Sequence, residues 1–307
     1  MAKKIILTAA VTGAVHVPSM TPYLPITPEQ IINEAVKAKE AGAAVVHIHA
    51  RNPETGQPTS ELGLMKDIVK GIKERSDVVV CITTGGAIGM SIEERLKAIP
   101  ALKPELASCN AGSVNFVFST IADKLTEPKF DWEIPFLKNT YDLVFANTYK
   151  SLEEYITTMN EHGTLPEFEV YDVGMINNIA FFRNKGVVKQ PIYLQFVLGV
   201  LGGIPATVEN LVFLVKTARE LLGEVSWSCT AAGRQQLPLA AVTLALGGNV
   251  RVGLEDNIYL KPGVLAKSSA EQVAQVRTIA ETLHYEVATP DEARALLSLK
   301  GIQNVNF

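Results

Sequence analysis

Val45-Val46-His47-Ile48-His49-Ala50-Arg51 is a short, β-branched apolar run that carries two histidines two residues apart. Such a run marks a strand. Residues two apart in a strand share a face, so His47 and His49 aim at one point. Apolar residues on both faces mark a strand covered on both sides, as in a parallel sheet beneath helices. Runs of the same kind recur at 5–11, 44–50, 78–84, 106–110, 167–173, 192–198, 225–230 and 249–255, alternating with helical patterns. That is the βαβ rhythm. Helix starts are marked by capping boxes at Thr27/Gln30, Ser91/Glu94, Ser268/Glu271 and Thr289/Glu292, with Pro28 and Pro290 at the first helical position. Eight strands with intervening helices predict an α/β protein, a single (β/α)8 TIM barrel spanning residues 1–307, with a doubly wound open sheet as second choice. The gap between the fourth and fifth runs is too long for one crossover helix. It predicts an insertion after the fourth strand, over about residues 113–165, with extended structure at 129–136 and 143–148.

Composition narrows the function classes. The chain has 307 residues, 28 Lys+Arg against 32 Asp+Glu, and a net charge of −4. Without a basic run it is expected to bind neither nucleic acid nor a membrane surface. No apolar stretch reaches the roughly 20 residues of a membrane span. Lys3-Lys4 resembles the start of a signal peptide, but the apolar run after it breaks at Thr8 and reads better as a first strand. Three scattered cysteines, Cys81, Cys109 and Cys229, make no disulfide framework and predict a reducing, cytoplasmic compartment. The aromatic residues of the insertion suit local packing or a subunit contact, and a homo-oligomer, dimer or tetramer, is expected.

Two imidazoles converging at the carboxyl end of a barrel strand are half of a metal site. An isolated His-x-His is more often a pair bonded to polar neighbours, but apolar flanks leave these rings in need of a strong shared partner. The eighth run ends Arg251-Val252-Gly253-Leu254-Glu255-Asp256-Asn257. In a closed barrel the second and eighth strands flank the first, so Glu255 is the expected third ligand. Two histidines and one carboxylate leave a coordination position open, the mark of a catalytic zinc site. Arg251 and Glu255 share strand parity, and Asp256 falls in the turn above. Two further loops, Thr83-Thr84-Gly85-Gly86 and Ser108-Cys109-Asn110-Ala111-Gly112, present hydroxyls and then backbone N–H groups suited to oxygen atoms. The run Leu198-Gly199-Val200-Leu201-Gly202-Gly203 either admits a long cofactor or merely turns the chain.

Taken together, these stretches resemble the β-keto acid cleavage enzymes, the family of 3-keto-5-aminohexanoate cleavage enzyme. The resemblance runs nearly end to end. It rests on Leu7-Thr8-Ala9-Ala10-Val11-Thr12-Gly13-Ala14, Pro25-Ile26-Thr27-Pro28, the His47–Arg51 run, Thr83-Thr84-Gly85-Gly86, and Lys103-Pro104-Glu105 through Gly112. It also includes Gln195-Phe196-Val197-Leu198-Gly199 and Gly247-Gly248-Asn249 through Asn257. The resemblance implies a barrel that binds Zn²⁺ through His47, His49 and Glu255. It implies a retro-Claisen reaction in which a β-keto acid and acetyl-CoA give acetoacetate and a new acyl-CoA. Asp256 would be the general base that takes the α-proton, oriented and kept ionised by Arg251. The carbanion would attack acetyl-CoA, and the freed thiolate would return to the other ketone before the C–C bond breaks. Thr83 and Ser108 would bond the substrate carboxylate or an oxyanion.

One departure bears on the substrate. Family members acting on amine-bearing acids place a carboxylate directly after Thr-Gly-Ala, where this chain has Val15 followed by His16. The expected substrate tail is therefore neutral or anionic, with His16 available to bond it. A metal-dependent hydrolase of the same barrel type is the rival reading. That class needs its histidine pair on the first strand and two more histidines on later strands, whereas His16, His162 and His284 lie outside every predicted strand. A barrel that binds metal or CoA without turnover is the non-enzyme rival.

Overall fold

The computed structural model describes residues 3–85, 89–189 and 191–307. Eight parallel strands close into one barrel: β1 (Leu7–Ala10), β2 (Val45–Ile48), β3 (Val79–Ile82), β4 (Leu106–Asn110), β5 (Leu165–Val170), β6 (Tyr193–Leu198), β7 (Ser226–Ala231) and β8 (Asn249–Val252). Each strand pairs with its neighbour in sequence, and β8 closes on β1 with Arg251 opposite Thr8. This is the (β/α)8 barrel expected from the strand rhythm.

The burial of the strands explains their composition. Outward-facing Leu7, Ala9, Val46, Ile48, Val80 and Ile82 pack against Ile31, Ala35, Ile68 and Ile72 of the helices Pro28–Ala41 and Leu62–Arg75. Inside, Ile6, Val45, Val79, Leu106 and Tyr193 plug the amino-terminal end, capped by Ala293 and Leu297 of the helix Pro290–Leu297. Capping boxes form at Thr27, Ser91 and Thr289. The fourth is incomplete. Ser268 accepts from Glu271 N, but Glu271 reaches past it to the amide of Lys267, at 2.9 Å. Among the described residues no helix is long and apolar enough to cross a membrane.

Between β4 and β5 the helix Tyr149–Glu161 packs on both strands and completes a regular β/α unit. Within 113–165, the part outside the repeating units is therefore 113–148. Val114–Asn115 and Val144–Phe145 form an antiparallel pair there. The stretch 129–136, expected to be extended, turns instead into the helix Glu133–Asn139. Pro135 is tolerated because it lies in the first turn, where no N–H has a helical acceptor. Trp132 and Phe136 pack edge to face and join a small cluster with Val17 and Leu137. The cluster folds this segment over the mouth of the barrel.

The opposite end carries a bidentate ion pair. Arg294 donates to the carboxylate of Glu105 from Nε at 2.9 Å and from Nη2 at 3.0 Å, both residues being buried. A contact at the amino-terminal face of a barrel serves stability rather than chemistry. Arg294→Ala strands the Glu105 carboxylate, so urea unfolding is expected to report a loss of about 3 kcal/mol with turnover retained. A loss under about 1 kcal/mol would show that Glu105 finds another partner.

Candidate active site

The carboxyl ends of the strands bring the sequence-predicted residues together. His47 Nε2 and His49 Nε2 stand 3.1 Å apart. Glu255 Oε1 lies 3.7 Å from the first and 3.5 Å from the second. Glu255 does not arrive as a strand residue. β8 ends at Val252, and Gly253 turns the chain at φ 151°, where a Cβ would meet the carbonyl of Ala10 at 2.0 Å. Glu255 then anchors its amide on that carbonyl, at 3.1 Å. Its side chain lies on Gly13, where an added Cβ would sit 2.4 Å from Glu255 Cγ, which is the physical reason for the Thr12-Gly13 step. Arg51, fully buried, holds that loop by donating to Thr12 Oγ1 at 2.8 Å and to the carbonyls of Gly13 and His16, each at 2.8 Å.

Arg251 is the electrostatic hub. It donates to both oxygens of Asp256 at 3.0 Å, to Glu255 Oε1 at 2.7 Å and to Glu169 Oε1 at 3.2 Å. Glu169 was not singled out from the sequence. The signal was the pair Glu167 and Glu169, two carboxylates on one face of an otherwise apolar strand. Asn110 Nδ2 donates to Glu169 Oε2 at 2.6 Å, linking β4 to the hub. Burial pushes Glu169 and Asp256 upward from ordinary carboxylate values, against the pull of Arg251. Burial acts on Glu255 in the same sense, but Arg251 and the two imidazoles outweigh it and hold its carboxylate well below the usual range. Burial keeps His47 neutral, far below the ordinary histidine value.

Three carboxylates thus surround a single guanidinium, and among the described residues Glu255 Oε2 is buried without a partner. Donors around tetrahedral zinc, at about 2.0–2.2 Å from the ion, stand about 3.3–3.5 Å from one another. The spacings of His47, His49 and Glu255, at 3.1, 3.5 and 3.7 Å, bracket that figure, and two imidazoles with one carboxylate are a donor set that zinc takes. The residues fit a zinc ion.

The loops divide their labour. Thr83 and Asn110 line a small pocket together with His47, His49, Glu169 and Glu255, and Gly85 closes its edge. Thr83 Oγ1 accepts from the amide of Gly85, at 2.9 Å. Thr84 and Ser108 bond each other instead, Thr84 N to Ser108 Oγ at 3.1 Å and Thr84 Oγ1 to Ser108 O at 2.8 Å, and neither is on the pocket wall. Gly86 lies outside the described residues. The upper walls are apolar, from Phe116, Phe118, Phe136, Leu143 and Phe145 of the segment over the mouth. The pocket encloses about 90 Å³ and adjoins a wider cavity of about 790 Å³ along Val15, Tyr171 and Glu255. Arg251, Asp256 and the Gly199-Val200-Leu201 lip face the wider one. His16 lines that cavity and not the small pocket, and burial holds its imidazole down at about 4.

Fold and site define an enzyme of the (β/α)8 class whose chemistry sits at the carboxyl ends of the strands. The sequence profile of the β-keto acid cleavage enzymes matches residues 4–299, and the chain belongs to that family. It is 45% identical over 306 residues to a 3,5-dioxohexanoate:acetyl-CoA acetone transferase of Paraburkholderia graminis, covering 99% of each chain. It is 39% identical over 298 residues to a 3-keto-5-aminohexanoate cleavage enzyme of Acetoanaerobium sticklandii, covering 97% of this chain and 99% of the relative. Among solved structures, ObcA shares the fold with a TM-score of 0.74 at 22% identity, over 91% of this chain and 68% of that one.

Proposed function

We propose that this enzyme cleaves a β-keto acid with a short uncharged tail, using acetyl-CoA to give acetoacetate and an acyl-CoA, with zinc held by His47, His49 and Glu255. The observation that carries the reading is one continuous site: a polar floor under apolar walls, opening at Val15 and Tyr171 onto a cavity wide enough for a CoA arm. When bound, the metal supplies Lewis acidity to the keto oxygen of the substrate. The remaining roles fall to the chain's own residues. Asp256, which faces the wider cavity next to Glu255, accepts the α-proton. Arg251 fixes both of its carboxylate oxygens and leaves it one orientation. The Thr83 hydroxyl and Asn110 amide, on the pocket wall, bond the substrate carboxylate. A cytoplasmic homo-oligomer belongs to the same reading; the three cysteines are free and buried, and Phe181 and Phe213 are exposed on the outer helices.

The walls narrow the tail. No Lys or Arg lies among the described lining residues, so an anionic tail has no partner there. Thr140 Oγ1 is already engaged, by Phe118 N at 2.8 Å and Leu137 O at 2.6 Å. An apolar cavity of about 150 Å³ takes a benzene ring, so this pocket suits something smaller. An ammonium desolvated against these phenyl rings costs several kcal/mol. The expected kcat/KM ratio of an uncharged over an aminated β-keto acid is therefore about 100 or more, and Val15→Glu should shift it at least tenfold toward the amine. A ratio unmoved by the substitution would remove Val15 from tail selection.

The test of the reaction itself is a panel of β-keto acids incubated with acetyl-CoA and scored for acetoacetate release. The expected result is release with short neutral tails. Absence of CoA-dependent acetoacetate across the panel overturns the reading. The rival hydrolase finds no support in His162 and His284, which cap or follow helices on the outside of the barrel, and His16, on the wall of the wider cavity, lies on no barrel strand.

A further inference from the structure

Beneath the imidazole pair the barrel interior holds a second polar layer. Glu167 on β5 and Cys81 on β3 sit between the apolar plug and the site floor, both fully buried. The Cys81 thiol donates to Glu167 Oε2 at 3.5 Å. Among the described residues Glu167 Oε1 is buried with no hydrogen-bond partner, and so is His47 Nδ1; the two do not bond each other in this structure. One imidazole nitrogen of His47, the Cys81 sulfur and a Glu167 oxygen lie within 4.8 Å of one another. Nε2 of His47 is the nitrogen turned to His49 and Glu255, so Nδ1 lies on the other side of the ring.

The chemistry of a histidine ligand joins these two orphan atoms. A ring that gives its Nε2 lone pair to a metal must carry its hydrogen on Nδ1, and a buried N–H needs an acceptor. Metal-bound histidines almost always donate that hydrogen to a carboxylate, a carbonyl or water. A thiol is a weak acceptor, and here its own hydrogen goes to the other oxygen of Glu167. We propose that Glu167 is a positioning residue for the metal ligand His47. When His47 gives Nε2 to the metal, a small shift brings Glu167 Oε1 to accept from Nδ1–H and selects the tautomer that leaves Nε2 free, while Cys81 steadies Oε2. This rests on the zinc reading above and adds a residue that touches neither metal nor substrate.

The test is zinc affinity of the full chain, measured by competition with a chromophoric chelator, with the melting temperature of the metal-free protein beside it. Glu167→Gln, which keeps an accepting oxygen but loses the charge, is expected to weaken zinc binding about tenfold. Glu167→Ala, which loses both, should weaken it up to about 100-fold. The metal-free melting temperature of Glu167→Gln should stay level or rise, since a buried carboxylate becomes a neutral amide. A structural role alone would lower the melting temperature and leave the affinity of the folded fraction unchanged. Nitrogen-15 spectra of histidine-labelled, zinc-loaded parent protein give a second readout that needs no folded variant. A His47 Nδ1–H whose shift is that of a hydrogen bond to a carboxylate supports the assignment, and an Nδ1–H with the shift of an unbonded ring, or a ring protonated on Nε2, overturns it. A parent that takes up no zinc removes the metal reading. A parent that binds zinc, beside a folded Glu167→Gln within twofold of it, overturns the role of Glu167 alone.

Discussion

Asp256→Asn is expected to reduce turnover by about two to four orders of magnitude while zinc content stays at the parent level. The substitution is isosteric, and the amide oxygen it introduces can still accept one hydrogen bond from Arg251, so the turn above β8 keeps its shape. What it loses is basicity, because an amide cannot hold the α-proton at neutral pH. The effect should fall on kcat more than on KM, since the small pocket that binds the keto acid is lined by other residues. Measurement of acetoacetate release and zinc content on the same preparation separates the two contributions. Near-parent turnover in Asp256→Asn would move the base elsewhere, and Glu169 would be the first residue to test. It is buried, bonded to the same guanidinium at 3.2 Å, and on the pocket wall.

The second large effect concerns the imidazole pair. His47→Ala or His49→Ala leaves one histidine and Glu255, too few donors to hold zinc at a three-ligand site against dilution. Each variant should purify without stoichiometric metal and with less than about one hundredth of parent turnover, yet keep a barrel with a cooperative unfolding transition. The two variants differ in what they leave behind. His47 is fully buried, so its truncation opens a cavity beside Glu167, whereas His49 stands nearer the mouth. His49→Ala is therefore the cleaner test of metal loss. Full zinc occupancy in both variants would sink the assignment.

Most of the fold is legible in the amino-acid sequence. Each of the eight strands is marked by a short apolar run, and three of the four capping boxes form as the sequence predicts, because strand periodicity and helix capping are decided within a few residues. The structure departs from expectation in segments whose neighbours are distant. Residues 129–136 carry aromatics that favour extended structure locally, but Trp132 and Phe136 find their partners on Val17 and Leu137 and the chain turns helical. Parity places Glu255 on a strand. It reaches the histidines instead from a turn that only Gly253 can make, against a carbonyl of β1.

The amino-acid sequence alone determined the barrel, the histidine pair and the Arg251–Asp256 segment, because each is written in contiguous residues with a fixed local period. The tertiary structure alone decided what surrounds them. Glu167 and Glu169 read as two acids in a strand until closure of the sheet turns both inward, one beneath His47 and one onto Arg251. Thr84 and Ser108 read as free hydroxyls until β3 and β4 lie side by side and the two bond each other. The apolar pocket wall comes from a segment between β4 and β5 that folds over the mouth of the barrel. Such convergence has no local signature, since its energy comes from desolvating groups tens of residues apart, and only the closed chain brings them together.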